Sequence, residues 1–171
     1  MRGQVIGKTM THGYAGSYSR QPDSVIDTHA LTGEGDVQFG LGVVHDSTLK
    51  NAVVLPGDST VANQFLGVAV REVKSATNFL NQNIGVYTPG DAMPIMKRGC
   101  VNVLCQRGTP AVGGEVYLRV KKNESYVNAV VGGFEAEDDS GNVVKLPNCQ
   151  WKGEADANGI AEMRIMTIIN A

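Results

Sequence analysis

Short apolar segments separated by turn residues are the feature of this sequence that most restricts its fold. From Val37 onward such segments recur at intervals of roughly 8–12 residues, the spacing typical of strands in β-sandwiches and barrels. No window places apolar residues at i, i+3, i+4 and i+7, so no long amphipathic helix is predicted. The sequence therefore predicts an all-β fold, either a small β-barrel or a jelly-roll-like sandwich.

Turn signals and apolar runs together define the predicted strands. The strongest turn signal is Asn158-Gly159, a two-residue hairpin sequence that joins the last two strands. In the last strand, every second residue from Ala161 to Ile169 lies on one face. The best helix candidate is one or two turns at Ser59–Gln64. The other predicted strands are Val37–His45, Asn51–Leu55, Phe65–Val70, Ile84–Tyr87, Met93–Met96, Cys100–Cys105, Val116–Val120, Tyr126–Val131 and Cys149–Ala155.

Residues 1–36 differ from the rest of the chain. The stretch Gly13–Pro22 is rich in Gly, Ser and Tyr and has neither a period of 2 nor a period of 3.6. By itself it has too little apolar surface to offset the entropy cost of ordering it. We therefore predict an extended N-terminal arm over residues 1–36, floppy or ordered only against a partner, and a β-barrel or sandwich domain over residues 37–171.

Charge and cysteine content exclude several classes of protein. The net charge of −2 is too small to predict a nucleic-acid partner for the whole chain. The longest apolar runs are far shorter than the ~20 residues that a membrane-spanning helix needs. Three cysteines, an odd number without a preceding secretory signal, favour reduced thiols in a protein made in the cytosol.

Each motif that could carry chemistry fails on its spacing or context. Gly3–Thr9 resembles a phosphate-binding loop but has three residues between its glycines instead of four. Lys97 after Met96 lacks the sequence context of a biotin-carrying lysine and is predicted to be a solvent-exposed turn lysine. His45-Asp46 comes without a nucleophile signature and is predicted to be a polar strand end.

The cysteines do not form a metal site by spacing either. Cys100 and Cys105 are five residues apart, and no second pair of cysteine or histidine ligands completes a zinc site. Residues five apart on a strand also face opposite sides. We predict buried structural thiols, and no catalytic, cofactor-binding or metal-binding residue in the chain.

A series of glycine and apolar landmarks extends along roughly residues 35–170. In their order and spacing they resemble the structural cement (capsid decoration) proteins of tailed bacteriophages. The landmarks are Phe39-Gly40 with Val43-Val44, Phe65-Leu66-Gly67-Val68-Ala69, Tyr87 with Gly90-Asp91, Gly99-Cys100-Val101, Gly114-Glu115-Val116-Tyr117, and Trp151 followed by Gly159-Ile160-Ala161.

The resemblance implies a non-enzymatic protein that binds the outside of the assembled icosahedral head and stabilises the contacts between capsomers. Its partners would be the major capsid protein and neighbouring copies of itself, as a dimer or trimer, with no nucleic acid and no membrane. The protein would be synthesised in the cytoplasm of the bacterial host and would reside on the outer capsid surface of the virion.

The predicted arm contains the candidate contact residues. Tyr14 and Tyr18, in a Gly- and Ser-rich setting, offer broad contact at low entropy cost. Arg2, Lys8 and Arg20 belong to a segment without acids and would suit an acidic capsid face or a phosphate, although solubility explains them equally simply. We predict these five residues as the capsid or subunit interface.

Two other functions are consistent with the sequence. One is a different phage structural role, as a tail-tube, head-completion or spike β-domain. The other is an enzyme or carrier domain on a β-barrel, which would require a cleft with an acid, base or thiol of perturbed pKa.

Overall fold

The computed structural model describes residues 11–49, 51–72 and 85–169. These residues form β-strands and two short 3-10 turns, Ala62–Gln64 and Glu124–Tyr126, and the all-β prediction is confirmed. No helix within these ranges is long and apolar enough to cross a membrane. The strands are β1 Tyr18–Leu31, β2 Val37–Gln38, β3 Gly42–His45, β4 Ala52–Val54, β5 Phe65–Ala69, β6 Val86–Tyr87, β7 Ala92–Leu104, β8 Tyr117–Arg119, β9 Phe134–Glu135, β10 Val143–Lys145, β11 Cys149–Trp151 and β12 Ile160–Ile165.

Five strands close into a ring. Their order is β1-β4-β3-β5-β7, and β1 completes the ring by pairing with β7. Neighbours are antiparallel except β1 and β4, which are parallel. The first half of β7 pairs with β5 and the second half with β12, so β12 and β11 extend the sheet beyond the ring. Of the two predicted architectures, the barrel describes this ring.

The inside of the ring holds one apolar core. Val43, Val53 and Ile95, from three different ring strands, are fully buried and belong to a single cluster. A two-stranded ribbon of β2 and β6 adds Val37 and Tyr87 to the same cluster.

A second core lies between the seven-stranded sheet and a three-stranded sheet of order β10-β8-β9. Leu118 and Phe134 from the smaller sheet pack with Phe65, Trp151 and Met163 from the larger one. The rings of Phe65 and Phe134 meet edge to face, with centroids 6.2 Å apart. The fold therefore has two layers, with the outer wall of the barrel buried as well as its inside.

Strand β1 lies inside the span predicted as an arm. Tyr18–Leu31 is extended, and it pairs with β7 of its own chain and over two residues with β4. This segment therefore orders against its own sheet rather than against a partner. The division into an arm over 1–36 and a domain over 37–171 stays a prediction, and residues 1–10 lie outside the described residues.

Several local predictions differ from the structure. The strand predicted over Tyr126–Val131 is wrong, because a 3-10 turn at Glu124–Tyr126 occupies its start. Met93–Met96 and Cys100–Cys105 are parts of the single strand β7, which continues through Gly99 at a φ of 128°. The predicted pairing of the last two strands is observed, since β11 is antiparallel to β12. The two-residue turn is not, because Asn158 has no positive φ and the Gly159 N–H closes the turn by donating to the Asp156 carbonyl at 2.9 Å.

Candidate functional site

The segment that precedes β1 lies along β7 of its own chain. The Gly16 N–H donates to the Asn102 carbonyl at 2.8 Å, and the Asn102 N–H donates to the Ser17 carbonyl at 3.0 Å. The side-chain amide of Asn102, a residue only 4% exposed, also donates to the His12 carbonyl at 2.7 Å. Asn102 therefore fixes this segment through both its backbone and its side chain.

Arg20 strengthens the same attachment through a bidentate ion pair. Its Nε lies 2.5 Å and its Nη2 3.0 Å from the two carboxylate oxygens of Glu162 on β12. The Glu162 side chain is 7% exposed, whereas that of Arg20 is 67% exposed. Partial burial works to raise the pKa of Glu162, but the bonds and charge of Arg20, together with hydrogen bonds from Ser19 and Cys100, outweigh it, and the pKa lies below its usual value.

Tyr14, in the segment before β1, and Tyr18, the first residue of β1, both contact residues that follow β5. The Tyr18 hydroxyl donates to Glu72 at 2.5 Å, and burial together with this bond raises the pKa of Tyr18. The Arg71 guanidinium lies 4.9 Å above the Tyr14 ring and 6.0 Å from the Phe39 ring. Such cation–π contacts contribute about 0.5–1 kcal/mol at exposed sites.

Three of the five predicted contact residues, Tyr14, Tyr18 and Arg20, therefore contact partners in the same chain. Tyr14 remains 48% exposed and keeps a face available to a partner. Arg2 and Lys8 lie outside the described residues. The capsid-interface role of the five stays a prediction.

Sequence reasoning missed the acceptors and donors that hold this segment. They are Asn102, Glu162, Arg71 and Glu72. None follows a motif, because each is brought to the segment by strand pairing rather than by its neighbours in the chain. The one available signal was Glu162, a lone acid between apolar residues of the last strand.

Groups that could carry chemistry are engaged in structural contacts. Burial raises the pKa of Cys100, Cys105 and Cys149, which disfavours the reactive thiolate. The Asp46 carboxylate accepts from the Thr32 hydroxyl at 2.7 Å rather than from His45. Within the described ranges no three His, Cys, Asp or Glu side chains are grouped so that they could hold a metal ion.

Lys97 differs from its prediction as an exposed turn lysine. It lies within β7, is 7% exposed, and its ammonium contacts the Asp27 carboxylate at 2.9 Å. Lysine is rarely this buried without a partner, and Asp27 supplies one. The prediction was wrong because β7 continues past Met96 instead of turning there.

The ion pair with Arg20 predicts the effect of a single substitution. In Glu162→Gln the charge that holds the guanidinium is lost while the shape of the side chain is kept. We expect the Gly16 and Asn102 amide protons to exchange about tenfold faster, since charged hydrogen bonds are the stronger ones. Hydrogen exchange measures this. Glu34→Gln, at an exposed position, is the control, and equal exchange in both variants would contradict the role of the ion pair.

Comparisons with known proteins agree with the fold and give the family. A family model described as "Structural cement protein (E217 gp24/Pam3 gp6)" matches residues 2–166. Among solved structures, a chain from "The capsid of Myoviridae Phage XM1" is similar with a TM-score of 0.70 and 15% sequence identity, covering 96% of both chains. A search of curated proteins finds no match.

Proposed function

The chain belongs to the structural cement protein family, and from that premise we propose that it binds the outside of an assembled icosahedral phage head and stabilises the contacts between capsomers. The family match over residues 2–166 is the observation that carries this proposal. The capsid origin of the similar structure supports a role in the head rather than in a tail tube, head-completion complex or spike.

The proposed partners are the major capsid protein and neighbouring copies of this chain, as a dimer or trimer. Nucleic acid and membranes are not among them, and no catalytic role is proposed. Many copies arranged symmetrically over a shell add weak contacts into a strong attachment, because each bound copy raises the effective concentration of the next contact. We propose the outer capsid surface as the location, reached after synthesis in the cytoplasm of the bacterial host.

The N-terminal residues are proposed to reach a neighbouring subunit. The chain that follows these residues is held in place, because Asn102, Glu162 and Glu72 form hydrogen bonds with residues 12–20. Arg2 and Lys8 supply positive charge with no acid in residues 1–20. Such a segment suits an acidic surface of the capsid or of a second copy.

Addition of the purified protein to expanded heads that lack it tests the proposal. We expect saturable binding and heads that withstand a higher temperature or more denaturant than undecorated ones, as measured by release of their DNA. An enzyme or carrier would leave head stability unchanged. Failure to bind such heads would overturn the proposed function.

The contribution of the arm is tested separately with the double variant Arg2→Ser/Lys8→Ser. We expect its affinity for heads to fall about threefold to tenfold at low salt, with a smaller difference at high salt where exposed charges are screened. Lys122→Ser/Lys152→Ser, which removes two exposed positive charges elsewhere, is the matched control. Equal binding of the two double variants would contradict the arm contact while leaving the cement function standing.

A further inference from the structure

Polar side chains continue the inner face of the ring beyond its apolar core. His45 pairs directly across from Val53, and His29 directly across from Met93, and both of these partners are core residues. Directly paired residues of neighbouring strands point to the same side of a sheet. Asp27 pairs directly across from Ile95, and its carboxylate contacts the Lys97 ammonium at 2.9 Å, so Lys97 lies toward the same side. The inside of the barrel therefore contains two imidazoles and the ion pair of Lys97 with Asp27.

The two imidazoles contact each other and are incompletely hydrogen-bonded. Their rings meet edge to face at an interplanar angle of 83°, with centroids 5.6 Å apart. His29 Nε2 and His45 Nδ1 are buried and have no hydrogen-bond partner among the described residues. A neutral imidazole tolerates one unpaired acceptor nitrogen, but a charged imidazolium has two N–H donors that both need partners.

Few negative charges face this pair. On β1, Asp27 contacts the Lys97 ammonium, and that bond lowers the pKa of Asp27. Strands β4, Ala52–Val54, and β5, Phe65–Ala69, contain no titratable residue. Asp46, next to His45, is bonded to Thr32 and to the Thr48 N–H. A proton on either histidine therefore adds positive charge beside Lys97, where Asp27 already balances the ammonium.

The remaining charged residue near this part of β7 points elsewhere. The Arg98 guanidinium forms an ion pair with Asp23 at 2.5 Å, and Arg164 contacts the other oxygen of that carboxylate at 3.3 Å. Asp23 is thus occupied by two guanidinium groups. It does not compensate a charge inside the ring.

We propose that the histidine pair makes the barrel acid-sensitive, so that protonation of His45, which packs against His29 inside the ring, destabilises the ring of β1, β3 and β7 around Lys97. The device lies in the barrel of the single chain and does not depend on the proposed function. It identifies a condition, mild acid, under which the protein loses part of its stability well above the pH at which its carboxylates titrate.

The direction of the pH dependence follows from the state of His45. Burial first, and then the neighbouring His29 and Lys97, hold the pKa of His45 below its usual value. The unfolded chain therefore binds more protons than the folded one just below pH ~6.5, the ordinary histidine value. The stability that neutral His45 contributes is therefore present above that pH and is lost as the pH falls, and the unfolding constant rises by at most about tenfold per pH unit.

Equilibrium unfolding of the full chain in denaturant at pH 7.5, 6.5 and 5.5 tests this. We expect the unfolding constant of the wild-type protein to rise by up to about fivefold between pH 6.5 and 5.5. His45→Gln should remove most of that rise, and His29→Gln should reduce it by removing one of the groups that disfavour charge on His45. His12→Gln, which replaces the one other histidine of the chain, should leave the pH dependence of unfolding unchanged.

A constant stability of the wild-type protein over this range would overturn the proposal, as would an unchanged pH dependence in His45→Gln. A second measurement covers the case in which the variants do not fold. In the wild-type protein, the NMR signals of the His45 ring should titrate below pH ~6.5. Titration of that ring at or above the ordinary value would equally overturn the proposal.

Discussion

Replacing Arg119 with methionine is expected to lower the free energy of unfolding by about 3–5 kcal/mol, the cost of breaking a buried ion pair by removing one partner. Arg119 and Glu135 are both 0% exposed, and the Arg119 Nε donates directly to the Glu135 carboxylate. Methionine keeps much of the packing of the arginine stem, so the loss reports mainly the uncompensated carboxylate. Arg107, 3.4 Å from Glu135, is too distant to replace Arg119 fully.

This ion pair lies at the centre of a small network. Arg119 also donates to Asp139 at 2.8 Å and to the Lys121 carbonyl at 3.1 Å, while Asn123 donates to the same aspartate at 3.0 Å. Arg119 on β8 is thereby bonded to β9 through Glu135, and to one residue that follows each of these strands, Lys121 after β8 and Asp139 after β9. Arg119→Met is expected to loosen these connections together, because they share one guanidinium.

Denaturant unfolding of Arg119→Met beside Lys145→Met measures the effect. Lys145 pairs with Glu115 in the same three-stranded sheet, but both side chains are about half exposed, so its loss should cost only about 0–1 kcal/mol. The double variant Arg119→Met/Glu135→Leu should be more stable than Arg119→Met alone, because no charge is left unpaired in the core. Equal destabilisation by Arg119→Met and Lys145→Met would contradict the argument.

The strands that sequence reasoning located are those with two local signals, an apolar run and a turn at its end. The turn before β12 is the clearest case, since Asn158-Gly159 marks its position and Gly159 has a φ of 77°, which favours glycine. Strand β1 has neither signal. It is mostly exposed or half-buried and contains Pro22, because it closes the ring by pairing along β7 rather than by burying an apolar face. The position of β1 is therefore determined by its pairing with β7 and not by a pattern within residues 18–31.

The partners of polar side chains inside the fold also could not be predicted from the sequence. Arg119, between Leu118 and Val120, alternates as a solvent-facing residue would, and its partner Glu135 becomes visible only through the register of β8 against β9. The same holds for the segment before β1. Composition predicted Tyr14, Tyr18 and Arg20 as residues that contact a capsid or a second subunit, and it did not predict their contacts within the chain. Tyr18 and Arg20 bond to Glu72 and Glu162, which are 54 and 142 residues away.

Replacing Gly67 with alanine is expected to destabilise the protein by about 3 kcal/mol or more, at or above the upper end of the range for overpacking. Gly67 lies in β5 between β3 and β7. A Cβ at this position would lie 2.8 Å from Ile95 Cγ2 and 2.9 Å from the Met96 carbonyl carbon, and closer still to the Met96 oxygen. Because the obstacle includes backbone, a rotamer change cannot relieve it, and β5 or β7 would have to move.

Gly153→Ala separates this steric effect from the general effect of losing a glycine. A Cβ at Gly153 meets nothing within 4 Å, and neither glycine has a positive φ, so both variants lose the same backbone freedom in the unfolded chain. We expect Gly153→Ala to change stability by no more than about 1 kcal/mol, with stabilisation the favoured direction. If the two variants unfold at the same denaturant concentration, the result contradicts the claim that β7 leaves no room for a side chain at Gly67. If Gly67→Ala alone is destabilised, this glycine is required where the ring strand β5 meets β7, which explains in physical terms why it belongs to the landmark Phe65–Ala69.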